Sequence, residues 1–309
     1  MMNKTDSKKT LTFVLGGGGS RGALQIGAIR ALIEVGLVPD LLVGTSIGAV
    51  NAAGLALWGC NPQGLAMLEK AWKGVAEMQI LDPRVPHLVL RSLIGHPSQR
   101  SRQKVEEYFT SLGITPDLRI EDLSGARLGM VSADIETGQP VIYGKDPRDP
   151  ILEGMLASIT LPPWFVPSKK DGQLIVDGGA VSNLPIEPAL QLGATDIIAL
   201  DLDMEIKADD NAVPLPKYFE KLVFAVSQRY IQLEKSLAEE QGVPVHCFSF
   251  RDIDTLPTWD FSNTADLVEA GYRKIQSELA AKGGLSGAEI FSQNISAEDQ
   301  SSQKIHPAG

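Results

Sequence analysis

Apolar residues fill positions 11–15 and run straight into four glycines, after which Leu24, Ile26, Ile29, Leu32 and Ile33 recur at mostly helical spacing within 22–35. A short apolar run closed by glycine and followed by a 3.6-residue period predicts a strand, a glycine loop and a helix. The pattern repeats at once. Residues 41–44 predict a second strand, and 47–57, apolar on every side, predict a helix buried inside a domain. Further along, 62–75 reads as a helix, and 127–134 with 140–143 read as paired strands around the turn Glu136-Thr137-Gly138. A short strand at 174–176 leads to a helix over 185–192 and a strand over 196–201. The rest predicts a long helix at 215–240, a strand at 243–250 and an amphipathic helix at 264–281. Strands alternating with helices imply an α/β fold whose mostly parallel sheet is covered on both faces.

Between these elements, 77–101 carries three prolines and no clean period, and reads as an irregular excursion. Its apolar residues, with those of 161–166, fit a mobile cover over a hydrophobic channel as well as they fit core packing under a long loop. Residues 1–10 are polar and read as a flexible N-terminus, 11–282 as one domain, and 283–309, poor in core formers, as a disordered tail. The apolar run behind the N-terminus is too short for a signal peptide. The uncharged stretch 41–68 reaches membrane-spanning length, but Ser46, Asn51, Asn61, Pro62, Gln63 and several glycines interrupt it. It reads better as strand, turn and core helix.

Composition narrows the function. Of 309 residues, 43% are hydrophobic and 21% charged, as in globular proteins. The net charge of −10, with no basic cluster, speaks against a nucleic-acid partner. Two cysteines, Cys60 and Cys247, cannot make a disulfide framework or a cysteine metal site, and they fit a reducing, cytoplasmic setting.

The candidate chemistry begins at Gly16-Gly17-Gly18-Gly19-Ser20-Arg21-Gly22, between a strand and a helix. Consecutive backbone N–H groups without side chains at a helix N-terminus can converge on one negative oxygen. The same letters spell the G-x-G-x-x-G dinucleotide fingerprint, but the next strand does not end in the acid that ribose binding requires. A tight structural turn is a further reading. The second signal, Gly44-Thr45-Ser46-Ile47-Gly48, is a G-x-S-x-G elbow at a strand-to-helix junction. There Ser46 is either a nucleophile or an N-capping serine. A base for it is less plain. Of four histidines, His87 and His96 lie in the irregular excursion, His306 lies in the tail, and His246, inside an apolar strand, reads best as a core residue. Asp134, Asp177, Asp201 and Asp203 stand at strand ends, and Asp177 is followed by Gly178-Gly179, which lets its loop approach another backbone.

The glycine loop, the elbow, Ala157-Ser158 followed by Pro162, Phe165 and Pro167, and Asp177-Gly178-Gly179 occur in the order found in the patatin-like phospholipases, and the chain resembles the short bacterial members of that family. The resemblance spans residues 11–201. It implies a three-layer α/β/α fold, a catalytic dyad of Ser46 with Asp177, an oxyanion hole made by the amides of Gly17, Gly18 and Gly19, and no metal or cofactor. Gly44, Gly48, Gly178 and Gly179 would support the two loops, and Arg21 would either hold the glycine loop or meet a lipid phosphate. Many eukaryotic members have Asp before the loop where this chain has Gly16, so no acid is inferred there. The implied activity is hydrolysis of lipid carboxylic esters, with a lipid or ester as partner, passing contact with a membrane surface and an oligomeric state left open. A small-ester carboxylesterase and a non-catalytic regulatory protein with the same fold are the alternatives.

Overall fold

A computed structural model describes residues 9–78, 100–162, 164–170, 172–204, 215–253 and 260–281. The expectations for 79–99 and for the tail beyond 281 lie outside these residues, as do His87, His96 and His306. Five strands run parallel in the order β3 (Arg127–Asp134), β2 (Leu41–Thr45), β1 (Leu11–Leu15), β7 (Asp196–Asp201) and β8 (Val245–Ser249). Three further strands join antiparallel: β4 (Gln139–Tyr143) and β6 (Gln173–Asp177) on β3, and the three-residue β5 (Ser168–Lys170) on β6. The sheet is therefore mixed, with a parallel centre and an antiparallel end.

Alternation along the strands sets the layers. Phe13 and Leu15 of β1 and Ile198 and Leu200 of β7 join one core, while Val14, Ile197 and Ala199 join another. The first core is covered by α1 (Gly22–Glu34), α2 (Ile47–Trp58), α3 (Pro62–Met78), α5 (Ile151–Ser158) and α8 (Thr264–Ala281). The second is covered by α6 (Ile186–Gln191) and α7 (Leu215–Glu240). Helices on both faces make the three layers. The central helix α2 is buried along almost its whole length, as its all-round apolar sequence requires. No helix among the described residues is long and apolar enough to cross a membrane.

Three elements were not visible in the pattern. One is α4 (Arg100–Ser111), where, among the side chains described, Val105 and Phe109, one turn apart, are the buried ones within a charged sequence. Another, α5, has eight residues, too few for a period to stand out, and β5 is the polar tripeptide Ser-Lys-Lys.

The sheet's change of direction positions the site. Strand β4 pairs with β3 across Met130–Asp134, β2 across Arg127–Val131 and β6 across Ser132–Asp134. Because β4 overlaps both of the others and a strand has two edges, β2 and β6 must share the opposite edge. They meet on it end to end. Thr45 sits across from Val131 and Asp177 across from Ser132, so consecutive residues of β3 hold the C-terminal ends of the two strands.

Candidate active site

Ser46 follows Thr45 at the head of α2 with φ 55° and ψ −125°, and among the described residues it is the one non-glycine with positive φ. Such a backbone costs about 1–3 kcal/mol and persists only where its surroundings impose it. Here they do. The Ser46 N–H donates to Ser158 Oγ at 2.8 Å, and the Ser158 hydroxyl donates to the Val131 carbonyl at 2.5 Å. The Ser46 carbonyl accepts from the amides of Ala49 and Val50. Close approach explains the flanking glycines: a Cβ at Gly44 would stand 2.2 Å from the Gly48 carbonyl oxygen, and one at Gly48 would stand 2.1 Å from that of Leu15. Ser46 occupies the N-cap position of α2, but its side chain makes no capping bond.

Instead the Ser46 hydroxyl donates to Asp177 Oδ2 at 2.6 Å, within the range of a charge-assisted O–H···O bond. Asp177 Oδ1 accepts the Gly179 amide at 2.8 Å, and the Asp177 amide donates to the Thr160 carbonyl. The carboxyl is 6% exposed. Burial pushes its pKa up from the ordinary aspartate value to about 6, against the opposing pull of the hydrogen bonds from Ser46 and Gly179. The serine hydroxyl therefore bonds to a carboxylate with an elevated affinity for a proton.

The glycine loop leaves the end of β1, next to the end of β2. The Gly16 amide donates to the Leu200 carbonyl and the Gly17 amide to the Asn183 carbonyl, at 3.1 and 3.0 Å. The Gly17 N–H, one of the three expected for the oxyanion hole, is thus engaged by a backbone carbonyl of the neighbouring loop. The amides of Gly18 and Gly19, and those of Ile47 and Gly48 in the first turn of α2, have no acceptor among the described residues. They lie on the glycine loop and at the head of α2, the two segments next to Ser46 in the sheet and in the sequence. Arg21 is 1% exposed, and its guanidinium donates to the carbonyls of Leu202, Phe250 and Ile253. It ties the loop to the ends of β7 and β8.

Two cavities meet at Ser46 and Asp177. One, of about 110 Å³, is almost wholly apolar and is bounded by Val50, Trp72, Phe109, Trp164 and Phe261 beside Ser46 and Asp177. The other, of about 690 Å³, opens over Gly18, Gly19, Ser46 and Asp177 towards Asn183, Asp203 and Phe224. The expected contribution of 161–166 is present through Leu161, Trp164 and Phe165. Helices α3 and α4 supply much of the remaining wall.

The other candidates fall elsewhere. Asp134 holds its own turn through Glu136, Thr137 and Gln173. Asp201 pairs with Arg251. Asp203 accepts from Asn183, Ser227 and Gln228, bracing the loop opposite the glycines. His246 is 8% exposed and packs edge-on against Phe248 in β8, at the far edge of the sheet. Sequence reasoning missed the bracing roles of Ser158 and Asn183. It also missed Glu234 of α7, which accepts from Ser182 Oγ and the Glu187 amide and is pushed up to about 7 by burial. Ser158 lay within a quoted motif; Glu234, one acid on a charged helix, carried no signal. Among the described residues no group of three or more His, Cys, Asp or Glu is placed to hold a metal.

A sheet with helices on both faces, a strained serine after the second strand and a buried aspartate on its hydroxyl define a three-layer α/β protein with a carboxylate-paired serine at the end of its sheet. The family model for patatin-like phospholipase matches residues 13–190, and the chain belongs to that family. Patatin-like phospholipase domain-containing protein 7 of Mus musculus is 32% identical over 64% of this chain and 14% of its own length. Domain-containing protein 6 of the same organism is 28% identical over 91% of this chain and 21% of its own. Lysophospholipase nte1 of Aspergillus terreus is 26% identical over 86% of this chain and 18% of its own. This chain thus spans about a fifth or less of these relatives. The crystal structure of VipD from Legionella pneumophila matches with a TM-score of 0.42 and 15% identity, over 90% of this chain and 69% of that one.

Proposed function

We propose that the chain is a serine–aspartate acyl hydrolase of lipid carboxylic esters, of phospholipase A type, with residues 11–282 as its catalytic unit. The observation that carries this reading is the 2.6 Å bond from Ser46 Oγ to a buried carboxylate at the junction of an apolar cavity and an open one. The apolar cavity takes the acyl chain and the open one takes the alcohol side of the ester. Asp177 accepts the Ser46 proton as Oγ attacks the carbonyl carbon, and the carbonyl oxygen gains its charge facing the amides of Gly18, Gly19 and Ile47. Collapse expels the alcohol, which takes the proton from Asp177. A water, deprotonated by the same carboxylate, then attacks the acyl-serine ester and restores Ser46 as the fatty acid leaves.

A lipid substrate brings the chain to a membrane or micelle surface in passing, and the free Cys60 and Cys247 fit a reducing, cytoplasmic setting. The test is a panel of phospholipids and of short and long acyl esters with wild type and Ser46→Ala, combined with peptide mapping after treatment with an organophosphonate. Hydrolysis by wild type, none by the variant and a single adduct on Ser46 are expected. An adduct on another serine, or full activity in the variant, overturns the assignment.

A further inference from the structure

Behind the apolar cavity a buried polar chain links its wall to both ends of the glycine loop. Trp72 Nε1–H donates to Asn51 Oδ1 at 2.8 Å. Asn51 Nδ2 donates to Gln25 Oε1 and to the Gly22 carbonyl, each at 2.9 Å, and Gln25 Nε2 donates to the Gly16 carbonyl at 2.9 Å. Each amide has one permitted orientation: the indole offers only a proton, the Gly16 carbonyl accepts only, and the groups between must alternate. All three side chains are buried, Gln25 and Asn51 completely. A direct contact runs alongside, since a Cβ at Gly22 would stand 2.8 Å from Trp72 Cζ2, so the indole edge lies against the loop's exit.

This wiring crosses α3, α2 and α1 to reach a segment with little side chain to hold it in place. A glycine-rich loop is costly to order, and what fixes it decides how sharply its amides point. Oxyanion donors lose most of their effect when displaced by a fraction of an ångström. We propose that Trp72, Asn51 and Gln25 are positioning residues that couple occupancy of the acyl cavity to the oxyanion loop, so that a longer acyl chain raises kcat as well as lowering KM. A chain lying on the indole restrains Trp72, and through it Gly16 and Gly22; an acetyl group, too short to reach, leaves the loop looser. The inference rests on the acyl-hydrolase reading above and assigns a role that cavity filling alone does not supply.

The experiment measures kcat and KM separately for monomeric p-nitrophenyl esters from acetate to decanoate. Wild type is expected to show kcat rising and KM falling with chain length. Gln25→Met cuts the chain at the loop end without touching the cavity, and Trp72→Phe deletes the donor while keeping a ring. In both, KM still falls with chain length, while the decanoate-to-acetate ratio of kcat drops by about tenfold. A ratio is insensitive to general damage, and circular dichroism identifies a variant that fails to fold, leaving the other to decide. A flat kcat series in wild type, or a wild-type ratio in a folded variant, overturns the coupling. Absence of hydrolysis of every ester by wild type would overturn the acyl-hydrolase reading instead.

Discussion

Replacing Asp177 by Asn is expected to silence hydrolysis and, above pH 6, to make the fold more stable. The sign of the Asp177 shift sets the direction. Burial raises this carboxyl from 3.8 to about 6, so the folded state holds the proton more tightly than the unfolded chain does. Between pH 4 and 6 the folded state binds more protons than the unfolded, and stability falls as pH rises through that window. Two units at 1.36 kcal/mol each amount to about 3 kcal/mol of instability carried at pH 8. Asn removes the charge but offers one acceptor where Asp177 takes bonds from both Ser46 and Gly179, a loss of about 1 kcal/mol. The net gain is about 2 kcal/mol at pH 8, a rise in Tm of about 4–8 °C. Below pH 4 the protonated Asp177 costs nothing, and the variant should be the less stable by the lost bond. Glu234, also raised, titrates in both proteins and cancels from the difference. Thermal or urea unfolding of both proteins at pH 4 and pH 8 reads this directly. A variant no more stable at pH 8, or a difference that does not change with pH, would refute a buried carboxylate held against its desolvation cost.

Ser158→Ala orphans the Ser46 amide and the Val131 carbonyl, so it should cost about 1–3 kcal/mol in unfolding. It should also lower kcat more than it raises KM, read from steady-state kinetics on the folded variant. His246→Ala should lower the unfolding free energy by about 1–2 kcal/mol through lost packing on Phe248. Its kcat/KM should equal wild type, because β8 lies three strand spacings, roughly 14 Å, from β2; loss of turnover in folded protein would point to a histidine base.

The residues that were legible before the structure share a property: their neighbours along the chain reveal them. Ser46 stood out because its elbow needs small residues at fixed offsets, and Gly44 and Gly48 meet carbonyl oxygens that no Cβ could clear. The βα units at 11–35 and 41–58 were visible because their periodicity changes at glycine. Asp177 was one of four carboxylates at strand ends until the family resemblance singled it out. Its pairing with Ser46, 131 residues away along the chain, depends on β2 and β6 sharing one edge of β3, and no local pattern encodes that. Arg21 was ambiguous for the same reason, since the three carbonyls that bind it come from residues 202, 250 and 253.

In the proposed reaction, the antiparallel entry of β6 also accounts for Asp177 as the base. A strand parallel to β2 on that edge would have to send its own C-terminal end away from Ser46. Entering from the opposite direction, β6 brings its last residue against the elbow, with Gly178 so close to Val131 that a Cβ would stand 2.2 Å from the carbonyl oxygen. The collision leaves Asp177 little water, and the lost hydration raises its pKa. An ordinary aspartate near pH 4 would be a poor acceptor for an alcohol proton, whereas a group near 6 is still ionised at neutral pH and closer to the optimum for general-base work. The same packing that costs the fold stability at pH 8 therefore makes a carboxylate serviceable where serine enzymes more often use histidine, and the pH profile should record it. Wild-type kcat/KM should fall below an apparent pKa near 6, and Glu234→Gln should leave that inflection in place. If the inflection moves with Glu234, the titrating base is not Asp177.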